Sequence, residues 1–346
     1  MRVRLIVSDT GRGLRRDAEL LSRQIRHAGL TPETILCPPR SERITWIIDW
    51  VDRVKRRLPV LLRTILNRLQ CLVYGKGGER DLLVTIHLQR VHSRYVAGRH
   101  ENWLIPNAEW YSPNRVQYLS LIDRVLCKTQ ESAETFGKLH PHAAFIGFSG
   151  LFPKEVALSN PSERFRRFLH VAGNNRKKGT ATLVKLWKAH PEWPVLDLVI
   201  DDEARLPVHA ENIRVHKHVD DGAMRRLREE CGIALAPSEA EGFGHVLLDA
   251  MAWRQLVVTV DAPPMNELVA RDRGQLASWT HSRPCMLGHR YFVDADKLGG
   301  IIDSLLREEG ETLARQADNA RQWVLDNHQA FSQRFTGHLE TLLPHG

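Results

Sequence analysis

The sequence has no apolar run of the ~18 residues that a membrane-spanning helix needs, so nothing in it is expected to cross a bilayer. Its five cysteines (Cys37, Cys71, Cys127, Cys231, Cys285) are scattered and odd in number. No CxxC occurs, so neither a disulfide framework nor a zinc site is supported, and a reducing cytoplasm is the expected setting. Low-complexity tracts and fixed short repeats are absent too. The opening MRVRLIVSDT carries basic residues, but its apolar run is too short for a signal sequence and reads as a first strand.

What is present is an ordinary globular composition, 42% hydrophobic and 26% charged, in a chain of 346 residues that suits two domains. The net charge of +8 asks for an acidic partner: nucleic acid, an anionic membrane surface or a phosphorylated substrate.

Val3 to Val7 is a strand by its branched apolar content, followed by a loop with Gly11 and Gly13 and a helix that stops at Gly29. Strand, glycine loop and helix open a Rossmann-like unit, although the GxG is too short for a dinucleotide fingerprint. The stretch 40–69 is helical in period. Trp46, Ile47, Trp50, Val54, Leu61 and Ile65 lie near one face, and eight basic residues stand against three acidic ones. Pro59 should break it. Such a stretch suits either a core-facing helix pair with a solvated basic face or a helix pair lying on an anionic membrane surface. Strands over 81–86, 103–105, 122–128 and 144–148 continue the alternation. His87 and His92 follow the first of these, and Glu109 and Trp110 lie in an aromatic loop after the second. A flat ring beside a carboxylate suits sugar recognition.

The polar, proline-containing segment 152–166 reads as a linker, after which the alternation restarts. The expected domains are therefore 1–151 and 167–310, with C-terminal helices over 311–346 packing back toward the first. Helical patterns are read over 292–307, 311–325 and 331–343. In the second half three loops follow strands: 173–179 with Arg176, Lys177 and Lys178; 238–244 with Glu241; and 262–267 with Asn266 and Glu267. The glycines around Phe243 let backbone N–H groups at a helix start approach an anion, and carboxylates beside an anion site suit a ligand that also carries hydroxyls. A nucleotide-sugar has both.

EGFGHVLLDAMA resembles the donor-site signature of the retaining GT-B glycosyltransferases of family 4, in which two glutamates are separated by seven residues after a Pro-Ser turn. Pro237-Ser238 and Glu241-Gly242-Phe243-Gly244 match as they stand, and HVAGNNRKKGTATLVKLW is similar to the family's GR…KG…L segment. The resemblance implies an α/β GT-B fold, with two Rossmann-like domains facing each other across a cleft. It also implies a nucleoside-diphosphate sugar as co-substrate, with no cofactor and no metal.

By position, the resemblance assigns Glu241 to the transferred sugar and the backbone of Gly242, Phe243, Gly244 and His245 to sugar and phosphate. It gives Asp249 to the ribose, Arg176 and Lys178 to the leaving diphosphate, and Asn266 and Glu267 to the donor; Gly11 and Gly13 would lie near its phosphates. His87 is the candidate base, with His92, Glu109 and Trp110 toward the acceptor. Three positions depart from the pattern: Asp249 replaces the second glutamate, Asn174 stands where an arginine directly follows Gly173, and Arg254 and Leu256 replace a Gly and a Pro.

The implied reaction is retaining sugar transfer to a glycan or lipid-linked acceptor, by a cytoplasmic protein that sits peripherally on the inner face of a membrane. Competing readings are a nucleotide-sugar epimerase, an inactive GT-B protein, and a nucleic-acid-binding protein. The last is weakened by the lack of basic motifs interleaved with aromatics, so no nucleic-acid partner is expected. The acidic run at 201–203 reads as a strand cap.

Overall fold

A computed structural model of the chain describes residues 1–9, 11–38, 41–74, 81–96, 98–153, 155–156, 160–173, 175–201 and 210–343. Asn174 and residues 202–203 of the acidic run lie outside them. The chain divides into two compact units, 1–151 with 285–288 and 328–346, and 152–284 with 289–327.

The first unit is built from β1 (Arg2–Ser8), α1 (Arg12–His27), β2 (Thr31–Cys37), α2 (Glu42–Arg56), α3 (Val60–Tyr74), β3 (Leu82–Leu88), β4 (Glu101–Ile105), β5 (Arg124–Cys127), α4 (Gln130–Gly137) and β6 (Ala143–Phe145). Its six strands run in the order β2-β1-β3-β4-β5-β6, all neighbours parallel. Runs such as Val3–Val7 and Val84–Leu88 are buried throughout, as expected for strands covered on both faces. The order reverses between β1 and β3, and in such sheets ligands bind beyond the strand C-termini at that point.

The second unit contains α5 (Pro161–Arg164), β7 (Phe168–Gly173), α6 (Thr180–Ala189), β8 (Leu196–Ile200), β9 (Ile213–His216), α7 (Asp221–Glu230), β10 (Ile233–Ala236), α8 (His245–Ala252), β11 (Leu256–Val260), α9 (Met265–Leu268) and β12 (Gly274–Ala277). A hairpin of β13 (Trp279–Cys285) and β14 (Gly288–Val293), then α10 (Ala295–Arg307) and α11 (Gly310–Glu340), complete the chain. The parallel sheet runs β12-β11-β10-β7-β8-β9, the Rossmann order, with its switch point between β7 and β10. Phe168, Trp187 and Trp193 centre the core beneath it, with ring centroids 5.4 and 4.9 Å apart.

Three expectations are corrected here. The end of the expected linker, 160–166, is anchored and not free: Arg164 is buried and donates to the carbonyls of Arg228, Glu229, Trp253 and Arg254, which closes the C-terminal ends of α7 and α8. The two expected C-terminal helices are one helix of 31 residues, because no Gly or Pro interrupts the run Asn327-His328-Gln329-Ala330. The helix expected over 292–307 begins only after Asp294, whose carboxylate caps the N–H groups of Asp296 and Lys297; the residues before it belong to the β13–β14 hairpin. Of the two readings left open for 40–69, the core-facing one does not hold: the apolar residues of α2 and α3 are exposed, a point taken up below. The break between them falls at Arg57-Leu58-Pro59, where the proline predicts it.

Candidate functional site

In the second unit the loops after β7 and β10 meet at the switch point. Gly179 has a left-handed backbone (φ +71°), and a Cβ there would lie 2.1 Å from the carbonyl oxygen of Pro237. Only glycine lets the two loops approach this closely. The N–H of Glu239 bonds to the carbonyl of Lys177 at 2.7 Å and locks them together. Below, His170 ties β7 to β10 and to the start of α6: Nδ1 lies 2.7 Å from the Leu235 carbonyl and Nε2 2.9 Å from Thr180 Oγ1. Burial pushes its pKa down to about 4.

The loops close on an ion pair, Lys178 Nζ to Glu241 Oε1 at 2.5 Å, with both side chains mostly shielded from solvent. Two helices begin at the same rim, α6 after Gly179 and α8 after Gly244, and neither has a side-chain cap. Gly244 is also left-handed (φ +104°), and a Cβ would come within 2.9 Å of Leu268 on α9. Helix starts without a side-chain acceptor, beside an ammonium, form an anion site. Arg176 is exposed and makes no ion pair among the described residues, which leaves its guanidinium open to a ligand. Ser238 Oγ is fully buried in the same loop with no hydrogen-bond partner among the described residues.

Asp249 lies one turn into α8, buried, with Oδ2 held 3.0 Å from Arg228 of α7. Phe243 is buried, so that residue offers a ligand only its backbone; its ring stands 5.5 Å from His245. Gly242 and His245 are half-buried at the mouth. Asn266 bonds to Asp261 at 3.1 Å, and the half-buried Glu267 follows it on α9. The sequence did not single out Arg290 of β14, which grips Glu239 while the N–H of Tyr291 bonds to the Glu239 carbonyl at 2.7 Å. Its only sequence signal is a basic residue among aromatics in a hairpin that carries polar residues and a proline.

The first unit treats its candidates differently. His87 is fully buried, and burial holds its pKa down to about 3. Its Nδ1 accepts the N–H of His92, and Nε2 is buried with no hydrogen-bond partner among the described residues. A side chain without solvent access and held neutral is poorly placed to exchange protons with a ligand. His92 stacks on it at 6.5 Å and lies 3.0 Å from Ser8 Oγ, which also accepts from Arg90. This Ser8, Arg90 and His92 cluster sits at the β1/β3 switch point.

Glu109 is buried beneath Gly288, where a Cβ would meet Glu109 Cγ at 2.9 Å, and Tyr111 is buried as well. Trp110 is half-buried. Gly11 and Gly13 are exposed, and a Cβ at either meets nothing within 4 Å, so no close approach requires them to be glycine. Among the described residues no cluster of three or more His, Cys, Asp or Glu is placed to hold a metal ion.

Residues 155–323 match the family model described as "Glycosyl transferases group 1". A search of curated proteins gives no match. Among solved structures, sucrose-phosphate synthase from Thermosynechococcus elongatus superposes with a TM-score of 0.67 at 12% identity, covering 99% of both chains. Anabaena HepE, solved with UDP-glucose, gives 0.66 at 13% identity over 99% of this chain and 100% of its own. TarM gives 0.59 at 11% identity over 76% of this chain, which spans only 55% of TarM. At these identities the likeness establishes fold. The chain has the GT-B fold, and the segment that carries Lys178, Glu241 and Asp249 matches the glycosyl transferases group 1 model.

Proposed function

We propose that the protein is a retaining glycosyltransferase that moves a sugar from a nucleoside-diphosphate sugar to a membrane-associated glycan or lipid-linked acceptor. The Lys178–Glu241 pair, set between the glycine-started helices α6 and α8, carries this reading. In the transfer, negative charge builds on the departing diphosphate and positive charge on the anomeric carbon. Lys178, Arg176 and the two helix starts lie where they offset the first. Glu241 accepts hydrogen bonds from the sugar hydroxyls; a carboxylate already neutralised by an ammonium is better suited to binding than to attacking carbon. Asp249, oriented by Arg228, takes the ribose. The sugar–phosphate bond breaks as the acceptor hydroxyl adds on the same face, and the hydroxyl proton passes to the departing phosphate oxygen. The solved complex of HepE with UDP-glucose, a protein of the same fold, supports a nucleotide-sugar donor.

The test begins with a thermal-shift screen of nucleotides and nucleotide-sugars, since a ligand that binds only the folded state raises the melting temperature. The best donor is then incubated with acceptor fractions and the released nucleoside diphosphate is measured. Glu241→Ala should keep the fold and lose transfer; wild-type turnover in that variant would falsify the assignment.

A further inference from the structure

Of the seventeen exposed large hydrophobic residues among those described, eleven lie in α2 and α3. Trp46 is 68% exposed, Trp50 54%, Val60 68% and Leu61 75%. This is no loose end of the chain, because the helix pair is docked on the first unit through its polar side. Asp52 is buried and accepts from Tyr118 at 2.6 Å, and its carbonyl accepts from Gln117. Asn67, fully buried on α3, donates to the Gln117 carbonyl at 3.1 Å. Lys55 lies over the Tyr118 ring, and Arg115 reaches Asp49 at 3.7 Å. The usual arrangement is inverted: polar groups face the body and the apolar stripe faces outward. A monomer that leaves such a stripe to water marks a contact surface.

We infer that this helix pair lies on the surface of an anionic lipid bilayer, its tryptophans and aliphatic side chains in the interface. The inference concerns a partner surface and stands apart from the transfer chemistry. Arg43, Arg53 and Arg68 are exposed on the same two helices and Arg57 at the C-cap of α2, while Asp52 is buried and Asp49 faces Arg115. Apolar side chains flanked by arginines suit acyl chains below and anionic headgroups around them. A second copy of the chain fits worse, because a two-fold contact through this face would set these cations against their own copies. At fifteen residues each, the helices are about 22 Å long by the helical rise, short of the ~30 Å hydrocarbon layer, so they lie on the bilayer and do not span it. Among the described residues no helix is long and apolar enough to cross a membrane.

The experiment is co-sedimentation of the full chain with vesicles of phosphatidylcholine alone or mixed with phosphatidylglycerol. Recovery should be high only with the anionic vesicles and should fall with salt. Trp46→Ser combined with Trp50→Ser, at outward positions, should retain the wild-type circular dichroism and lower the vesicle partition by about tenfold or more. Arg53→Glu with Arg57→Glu should remove the preference for anionic lipid. Equal recovery with both vesicle types, or unchanged recovery of the serine variant, overturns the inference. So does a concentration-dependent dimer that the serine variant abolishes without any vesicle binding. None of these readouts uses transfer activity, so a failure here is separate from a failure of the donor-site reading.

Discussion

The two units carry the same layered architecture, yet their switch points are furnished in opposite ways. In the second, glycines are required by contact: Gly179 lies against Pro237 and Gly244 against Leu268, both with positive φ, and a cation and a carboxylate face each other beside two helix starts. In the first, a Cβ at Gly11 or Gly13 would meet nothing within 4 Å among the described residues, and the switch point holds Ser8 bonded to both His92 and Arg90 beside the buried His87. A glycine that no neighbour constrains is a loop residue, whereas one that admits a carbonyl is part of a designed approach. The contrast supports the second unit as the proposed donor site.

The comparison breaks most directly at the charged pair. Lys178→Met should reduce transfer by about 10²–10³, the range seen when a fixed transition-state donor is removed, and should weaken the thermal shift from a nucleoside diphosphate. His87→Gln, in the first unit, should change turnover by only about a few-fold, since the buried, neutral side chain is poorly placed to react. A large loss in turnover for His87→Gln with unchanged stability would restore it to the chemistry.

Glycine substitutions sharpen the same contrast in stability. Gly179→Ala combines a left-handed backbone with a steric overlap on backbone, and should cost about 3 kcal/mol; Gly11→Ala should stay within about 0.5 kcal/mol. Chemical denaturation of both variants decides it.

The effect that no substitution is needed to see is common to both units. His87 and His170 are held neutral by burial, with pKa values of about 3 and about 4 against the ordinary value of 6.5. Below pH 6.5 the unfolded chain takes up protons that the folded chain refuses. The stability these groups confer is therefore fully present above 6.5 and lost as pH falls toward 4, by about 1.4 kcal/mol per pH unit for each. Unfolding midpoints measured from pH 7.5 to 5 should show the slope, and His170→Gln should flatten it.

Much of this was legible in the sequence because it rests on local rules. Branched apolar runs marked most of the parallel strands, Pro59 marked the break between α2 and α3, and the glycine-flanked loop at 241–244 marked the start of α8. What was not legible depends on distant partners. Nothing near His87 in sequence says that it is sealed inside the unit, and nothing near Glu109 announces Gly288. The periodicity of 42–69 gives an apolar stripe but not its direction; the burial of Asp52 and Asn67 decides that it faces out. Arg254 is a mixed case. It stands where the resembled pattern has glycine, and the structure keeps the glycine-type backbone (φ +52°), at a cost of about 1 kcal/mol for a residue with a Cβ.

The buried guanidinium of Arg164 bears on how the second unit comes together. It serves carbonyls on α7 and α8 that lie 64 to 90 positions later in the chain. Neither helix end is complete until a residue from the start of the unit has been delivered to it, so finishing these two helices is a long-range event with a loop-closure cost. Any dissection of the chain for separate expression should cut ahead of Pro161, so that the second half keeps the arginine that finishes two of its helices.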